Sequence, residues 1–247
     1  MISSFNSYAS GVMEKLSPDV RKALLATGSR VQLGDGQLVQ CRGNKTIDLA
    51  IVLKGHIRLM TIGIDGSAML TAILGPGQQF NEVTLFAGAA RTHDAEAVGE
   101  TELLTLSAVE YDRFAAVHPE IVHALLVSNV QRVHQLVEIL NDLRGLAKPV
   151  VLARLLLKNA RHTQETSNAN SVELDISQED IAMFLGVTRA YLNRVLGQLS
   201  DQGLIAISYR KVRVLDMAAL EKWIQDHLIY AAVEDSLVTI PDHENAG

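Results

Sequence analysis

The chain has 247 residues, of which 48% are hydrophobic, 20% charged and 4% aromatic. This composition is typical of a globular protein of one or two domains and excludes a collagenous or disordered chain. The single cysteine excludes an internal disulfide and a cysteine-ligated zinc or iron–sulfur cluster within one chain, and it favours a reducing, cytoplasmic compartment. We expect no signal peptide, membrane span or metal site. The formal charge of −6 argues against a nucleic-acid-binding protein, since such domains usually carry a basic surface.

The first half of the chain changes from a helical to a strand pattern. Residues 1–30 are predicted to be helical, with Ser17 and Pro18 as a helix start. Residues 31–107 contain short apolar runs separated by glycine-containing turns, which is typical of an antiparallel β-barrel or jelly roll. The predicted strand cores are residues 51–53, 57–60, 69–74 and 103–106.

The helical period returns from Ala108, and a long helix follows Pro119. Its apolar residues alternate in steps of four and three, as in a coiled coil, and they are Leu126, Val130, Val133, Val137 and Leu140. This seam predicts a homodimer interface, since homodimers are the commonest oligomers. The alternative is an ordinary amphipathic helix packed on its own barrel. A hinge is predicted at 145–149.

The charge divides unevenly along the chain. Residues 1–147 carry 12 basic and 15 acidic side chains, residues 148–215 carry 9 and 6, and residues 216–247 carry 1 and 7. The negative total charge therefore conceals a basic segment at residues 148–215, and the total charge does not exclude a nucleic-acid partner.

The most specific motif spans residues 176–199. Ser177 can cap a first helix together with Asp180, Gly186 permits the left-handed backbone of a tight turn, and Thr188 can cap a second helix. This arrangement is typical of a helix-turn-helix, whose second helix enters the major groove of DNA. The alternative is a structural helical hairpin with a solvated basic face.

The predicted DNA contacts differ in chemistry. Arginine can bond guanine and asparagine can bond adenine, whereas hydroxyls and helix N-termini meet phosphates. Residues 204–215 are predicted as a two-stranded hairpin with a basic tip, which would form a wing. The complete predicted set is Ser177, Gln178, Thr188, Arg189, Tyr191, Asn193, Arg194, Arg210 and Lys211.

The barrel, seam helix and winged helix-turn-helix, in this order, resemble the bacterial CRP/FNR transcription regulators over residues 15–228. The resemblance implies a β-barrel sensor domain at 1–117, a dimerisation helix and hinge at 118–145, a DNA-binding domain at 146–228 and an acidic tail at 229–247. Family recognition helices carry Arg-Glu, three further residues and Arg. Here Ala190 replaces the glutamate between Arg189 and Arg194. Alanine cannot accept a hydrogen bond from cytosine, so we expect a changed operator sequence.

The resemblance also implies a cyclic-nucleotide-type pocket. The family's phosphate cassette is Phe-Gly-Glu with an arginine nine or ten residues later, where the arginine pairs with the phosphate and the glutamate with the ribose. This chain has asparagine in place of the glycine, an acid at Asp94, and apolar residues where cyclic-AMP-responsive members carry adenine-bonding hydroxyls. The corresponding candidate effector residues are Asn81, Glu82, Arg91, Thr92, Leu136 and Val137.

Three interpretations of the function stay open at this point. The first is a homodimeric regulator of double-stranded DNA at a pseudo-palindromic operator, with a cyclic nucleotide as candidate effector and RNA polymerase as a further candidate partner. The second is a ligand-independent regulator whose pocket is empty or differently used, with Glu82 and Arg91 paired to each other. The third is a ligand-binding module that acts on a protein partner. We expect no enzyme, because the catalytic motifs are missing. Cys41 is predicted to be a small buried hydrophobe.

Overall fold

Two short helices open the described part of the chain in the computed structural model, which describes residues 11–64, 66–164 and 171–238. Helix α1 spans Val12–Lys15 and α2 spans Pro18–Thr27, with Ser17 as the residue before its first turn. Strand β1 begins at Ser29, so the predicted helical segment is shorter than 30 residues. The part of that prediction at residues 1–10 lies outside the described residues.

Six strands then form one antiparallel sheet. They are β1 (Ser29–Leu33), β2 (Leu38–Gln40), β3 (Asp48–Ile62), β4 (Ala68–Leu74), β5 (Gln79–Phe80) and β6 (Asp94–Ser107). The order is β1-β6-β3-β4, with β2 on β6 and β5 on β3. The sheet is jelly-roll-like and does not close into a barrel, so the jelly-roll form of the prediction is confirmed.

The strand β3 corrects one detail of the sequence analysis. Residues 51–53 and 57–60 were predicted as separate strands, because Lys54 and Gly55 resemble a turn. Instead β3 is continuous, and its register with β6 shifts around these residues. Gly55 has φ of 73°, and a Cβ there would lie 2.4 Å from the Glu100 carbonyl oxygen. Glycine therefore serves a bulge within one strand.

Helix α3 (Glu82–Ala87) lies between β5 and β6, and three helices follow β6, namely α4 (Ala108–Val117), α5 (Glu120–Gly145) and α6 (Lys148–Gln164). Ser107 caps α4 in a reciprocal arrangement with Glu110. The apolar stripe of α5 is exposed, with Leu126, Val130 and Val133 each about 60% accessible. Helix α5 ends at Gly145 and α6 begins at Lys148, so the helical break lies within the predicted hinge.

The C-terminal domain contains β7 (Val172–Leu174), α7 (Gln178–Leu185), α8 (Arg189–Asp201), β8 (Ile205–Ser208), β9 (Lys211–Val214) and α9 (Met217–Val238). Strand β9 pairs with β7 as well as β8, so the predicted two-stranded wing is part of a three-stranded sheet. The Val-Glu-Leu of β7 alternates correctly but was too short to predict as a strand. Helix α9 continues beyond the predicted start of the acidic tail at residue 229, where alanine, glutamate and leucine favour a helix.

The largest hydrophobic cluster crosses between the two halves of the molecule. It contains the inner faces of α6, α7 and α8, and also Leu70 and Ile73 of the sheet. The C-terminal domain is therefore packed on β4. Cys41 is exposed, contrary to the prediction, because it lies in the loop after β2. Among the described residues, no helix combines the length and apolarity needed to cross a bilayer.

Candidate effector cavity and DNA-binding surface

A cavity of about 230 Å³ lies between the sheet, α3 and α5. Its apolar walls include Leu59, Leu74 and Ile139, and its polar groups include Gln40, Thr71 and Asn129. Five of the six predicted effector residues line it, namely Asn81, Glu82, Arg91, Thr92 and Leu136. Val137 does not line the cavity; it is 52% exposed on the same helix.

The arginine of the cassette has an acidic partner that sequence reasoning missed. Arg91 Nη2 donates to Asp48 Oδ1 at 2.7 Å and to the Thr46 carbonyl at 3.2 Å. Asn81 Nδ2 donates to the same Asp48 oxygen at 2.9 Å. Asn81 occupies the family's glycine position with φ of 80°, which is a backbone conformation that asparagine tolerates better than most residues. Two of the predicted effector side chains therefore converge on one internal carboxylate.

The glutamate of the cassette pairs with a second arginine. Arg132 Nη1 lies 3.2 Å from Glu82 Oε1, and its Nη2 donates to the Gln79 carbonyl at 2.9 Å. The predicted alternative in which Glu82 pairs with Arg91 is therefore wrong, because Glu82 pairs with Arg132 and Arg91 pairs with Asp48. Arg132 was also missed by the sequence analysis, although it stands four residues before Leu136 on α5 and so shares its face.

The acid that was expected near the phosphate position turns elsewhere. Asp94 Oδ1 accepts a hydrogen bond from the Arg42 amide at 2.7 Å, so it faces the loop after β2. His93 lines the cavity, and burial together with Arg132 and Arg42 lowers the pKa of His93. The cavity therefore contains two arginines and a histidine that stays neutral at neutral pH.

Several polar atoms of the cavity have no partner among the described residues. They are Nε of Arg91, Nε of Arg132 and Oε1 of Gln40. Buried polar groups usually have a hydrogen-bond partner, so a polar ligand could complete this set. The described residues contain no group of three or more His, Cys, Asp or Glu that could hold a metal ion.

The second site is built on α7 and α8. Ser177 Oγ accepts from the Asp180 amide at 3.0 Å, and Gly186 ends α7 with φ of 63°. Thr188 Oγ1 accepts from the Tyr191 amide at 3.2 Å, so the predicted N-cap of α8 is present. The inner face of α8 is buried through Leu192, Val195, Leu196 and Leu199. The opposite face, which contains Arg189, Asn193 and Arg194, is exposed.

The cations of this surface are partly neutralised by neighbouring acids. Arg189 Nη2 lies 2.7 Å from Glu179 Oε1, and Arg194 lies 5.1 Å from the centre of the Tyr191 ring. On β9, Lys211 and Arg213 both pair with Glu173 of β7. The basic wing is therefore less positive than its sequence indicates, because β7 supplies the acid.

The N-terminal sheet touches the start of α7 through a partly buried ion-pair group. Arg58 of β3 donates from Nε to Asp180 Oδ1 at 2.7 Å and from Nη1 to Glu96 Oε1 at 2.7 Å. Beside this group, Ser177, Arg210 and Lys211 line a cleft whose opposite side includes Val98 of the sheet. Three of the predicted DNA contacts thus face the sensor domain in this conformation.

Comparison with known proteins defines the class of protein. A Crp-like helix-turn-helix domain matches residues 152–223, and a cyclic nucleotide-binding domain matches residues 30–118. The chain is therefore a DNA-binding transcription regulator with a cyclic-nucleotide-type sensor domain.

The relatives agree with this class. A CRP-like cAMP-activated global transcriptional regulator of Mycobacterium tuberculosis is 27% identical over 86% of this chain and 95% of its own length. The nitrogen fixation regulation protein FixK of Azorhizobium caulinodans is 29% identical over 81% of this chain and 77% of its own. The solved c-di-GMP-responsive global regulator CLP of Xanthomonas campestris shares the fold, with a TM-score of 0.70 and 20% identity over 80% of this chain and 99% of its own. The chain belongs to the CRP/FNR family of transcription regulators.

Proposed function

We propose that two copies of this chain bind a pseudo-palindromic operator through their α8 helices, and that a cyclic nucleotide in the cavity controls this binding. The DNA half of the proposal is supported by the exposed face of α8, where Arg189 and Arg194 stand about 1.4 turns apart on a capped helix. Arg189 stands in the first turn, where side chains of a recognition helix reach base edges. Arg194 and Asn193 extend the readable surface toward the next bases.

The dimer is supported by the exposed stripe of α5. Its residues Val137 and Leu140 are each 52% exposed, and an apolar stripe of this kind is normally covered by a partner. Val133 belongs to the stripe and also lines the cavity. A second copy of α5 would therefore pack directly beside the effector site.

The effector half is supported by the two arginines of the cavity, of which Arg91 is buried and Arg132 is half-buried. Arg91 has the cassette position that pairs with a cyclic phosphate in the family, and its Nε has no partner among the described residues. Charge-assisted bonds from a guanidinium to a phosphate are among the stronger polar contacts. Leu136 supplies an apolar wall where hydroxyls contact adenine in cyclic-AMP-responsive members, so base recognition differs here.

The present domain arrangement supports control by reorientation. Ser177, Arg210 and Lys211 face Val98 across a cleft, so the N-terminal sheet lies beside part of the predicted DNA surface, and a movement of the DNA-binding domain would open this side to the phosphate backbone. An effector that favours the undocked arrangement would promote DNA binding by a population shift. We assign the protein a binding role without catalysis and place it in the cytoplasm, where its operator would lie. RNA polymerase is proposed as a further partner on family resemblance alone.

A salt titration of operator binding tests the DNA half. Affinity of the wild type should fall steeply with salt, because phosphate contacts release counterions. Arg189→Ala should cost about 1–3 kcal/mol and relax specificity at one base pair. Arg161→Ala is the matched control, since Arg161 is similarly exposed but pairs with Glu221 on a different face. Equal affinity of Arg189→Ala and Arg161→Ala would overturn the assignment of α8.

Calorimetry with cyclic AMP, cyclic GMP and cyclic di-GMP tests the effector half. Binding of one of them, much weakened in Arg91→Ala, is the expected result. The second candidate is a ligand-independent regulator, which is favoured by the internal partners of Arg91 and Glu82. Absence of heat and of any thermal shift with all three nucleotides would favour that candidate and leave the DNA-binding half intact.

A further inference from the structure

We propose that Asp48 is the internal counter-ion of Arg91 and sets the affinity of the cavity for anionic effectors. The inference rests on the proposed role of Arg91 as the phosphate-binding residue. It concerns a residue outside the phosphate cassette, contributed by the first position of β3.

Arg91 and Asp48 form a close ion pair. The Arg91 side chain is 5% exposed and the Asp48 side chain 24% exposed, with 2.7 Å between Nη2 and Oδ1. Asn81, which directly precedes the cassette helix α3, donates to the same oxygen at 2.9 Å. One carboxylate oxygen therefore receives donors from Arg91 and from a second residue that lines the cavity.

This arrangement has an electrostatic consequence. Asp48 does not line the cavity, whereas Arg91 and Asn81 do, so the carboxylate holds the guanidinium from behind. An incoming phosphate meets an arginine whose charge is already compensated at contact distance. The effector must either draw the guanidinium away from Asp48 or bind it while a second negative charge lies a few ångströms farther away. Both routes weaken the binding of an anion.

Asp48→Asn removes the charge and keeps the shape and an acceptor for Asn81 and Arg91. We expect this variant to bind cyclic AMP at least about tenfold more tightly than the wild type, because a charge at this range is incompletely screened. Asp94→Asn is the matched control. This change removes an equal charge nearby, but the Asp94 carboxylate faces the Arg42 amide. The affinity of Asp94→Asn for cyclic AMP should therefore remain that of the wild type.

A double-mutant comparison separates a counter-ion from a merely structural residue. The gain from Asp48→Asn should vanish in the Arg91→Gln background, since it acts through the guanidinium. A gain that persists without Arg91, or an equal gain in Asp94→Asn, would overturn the inference. The inference would also be overturned if the wild type binds cyclic AMP and Asp48→Asn binds it no more tightly. That result would leave the proposed effector function standing.

If no variant binds cyclic AMP, the nucleotide proposal fails. The inference about Asp48 is then tested with inorganic phosphate as the anion. At constant ionic strength, phosphate should raise the melting temperature of Asp48→Asn more than that of the wild type, because the variant has an uncompensated Arg91. Equal shifts would overturn the inference. Should Asp48→Asn fold poorly, Asp48→Ser, which keeps an acceptor oxygen, is judged by the same two measurements.

Discussion

Arg58 connects the sensor sheet to the DNA-binding domain, and its truncation to alanine gives the sharpest prediction. Its side chain is 16% exposed and that of Asp180 only 4% exposed. Asp180 Oδ2 also accepts from Ser177 Oγ at 2.6 Å. In Arg58→Ala, Asp180 keeps this hydroxyl but loses its cation, and the negative charge of Glu96 beside it is no longer compensated.

The magnitude follows from the burial of the pair. Removal of one partner from a buried ion pair costs about 3–5 kcal/mol. We use the lower value, about 3 kcal/mol, because Glu96 is 27% exposed and water can reach one side of the group. Separation of the domains lets Asp180 become hydrated, so the cost falls on docking rather than on the folding of either domain. The ratio of docked to undocked molecules should therefore fall about a hundredfold.

Hydrogen exchange at the amides of α7 measures this equilibrium. Exchange should accelerate in Arg58→Ala but not in Arg30→Ala, whose pair with Glu102 lies within the sensor and is 54% exposed on the arginine side; such pairs contribute about 0–1 kcal/mol. A second change, Asp180→Asn, should restore slow exchange by removing the unpaired charge. Effector-independent DNA binding should rise in Arg58→Ala. Equal α7 exchange in the Arg58 and Arg30 variants would refute the reasoning.

Three further predictions concern the cap, a buried histidine and the seam. Thr188→Ala should lower stability by about 1 kcal/mol, because the N-cap of α8 is lost, and an unchanged calorimetric unfolding profile would contradict this. Burial lowers the pKa of His56 to about 4, below the unfolded value, so stability is complete above about pH 6.5 and decreases by at most about 3 kcal/mol as the pH falls to 4; His56→Asn should flatten this slope in urea unfolding. Val133→Asp should dissociate the dimer in sedimentation velocity, whereas Val117→Asp, at a 72% exposed position of α4, should not; equal effects would contradict the seam.

Local signals made the helix-turn-helix predictable. A capping hydroxyl, a glycine with positive φ and an apolar face lie within 24 residues, and each specifies its structure through near neighbours. Ser177, Gly186 and Thr188 occupy the predicted places for this reason. Gly55 shows the limit of such signals, because the same residue serves a turn or a bulge, and only the distant Glu100 decides between them.

The partners of the site arginines were not predictable, because they come from distant segments. Asp48 precedes Arg91 by 43 residues, Arg132 follows Glu82 by 50, and Asp180 follows Arg58 by 122. Charge pairs have no periodicity, so a sequence cannot show which acid meets which base. The cassette positions were therefore predicted without the groups that pair with them in the structure.

Helix α5 is the element through which an effector could influence both the dimer and the DNA-binding domain. Arg132 and Leu136 contact the cavity, and Val133 lies at both cavity and seam. Toward its C-terminal end, Glu138 pairs with Lys158 and Asp142 with Arg154, both on α6 of the DNA-binding domain. Coupling between two sites requires an element whose arrangement both sites bias. A ligand that draws Arg132 away from Glu82 would act on the same helix that we propose packs against a second copy, and this helix also carries two ion pairs to α6.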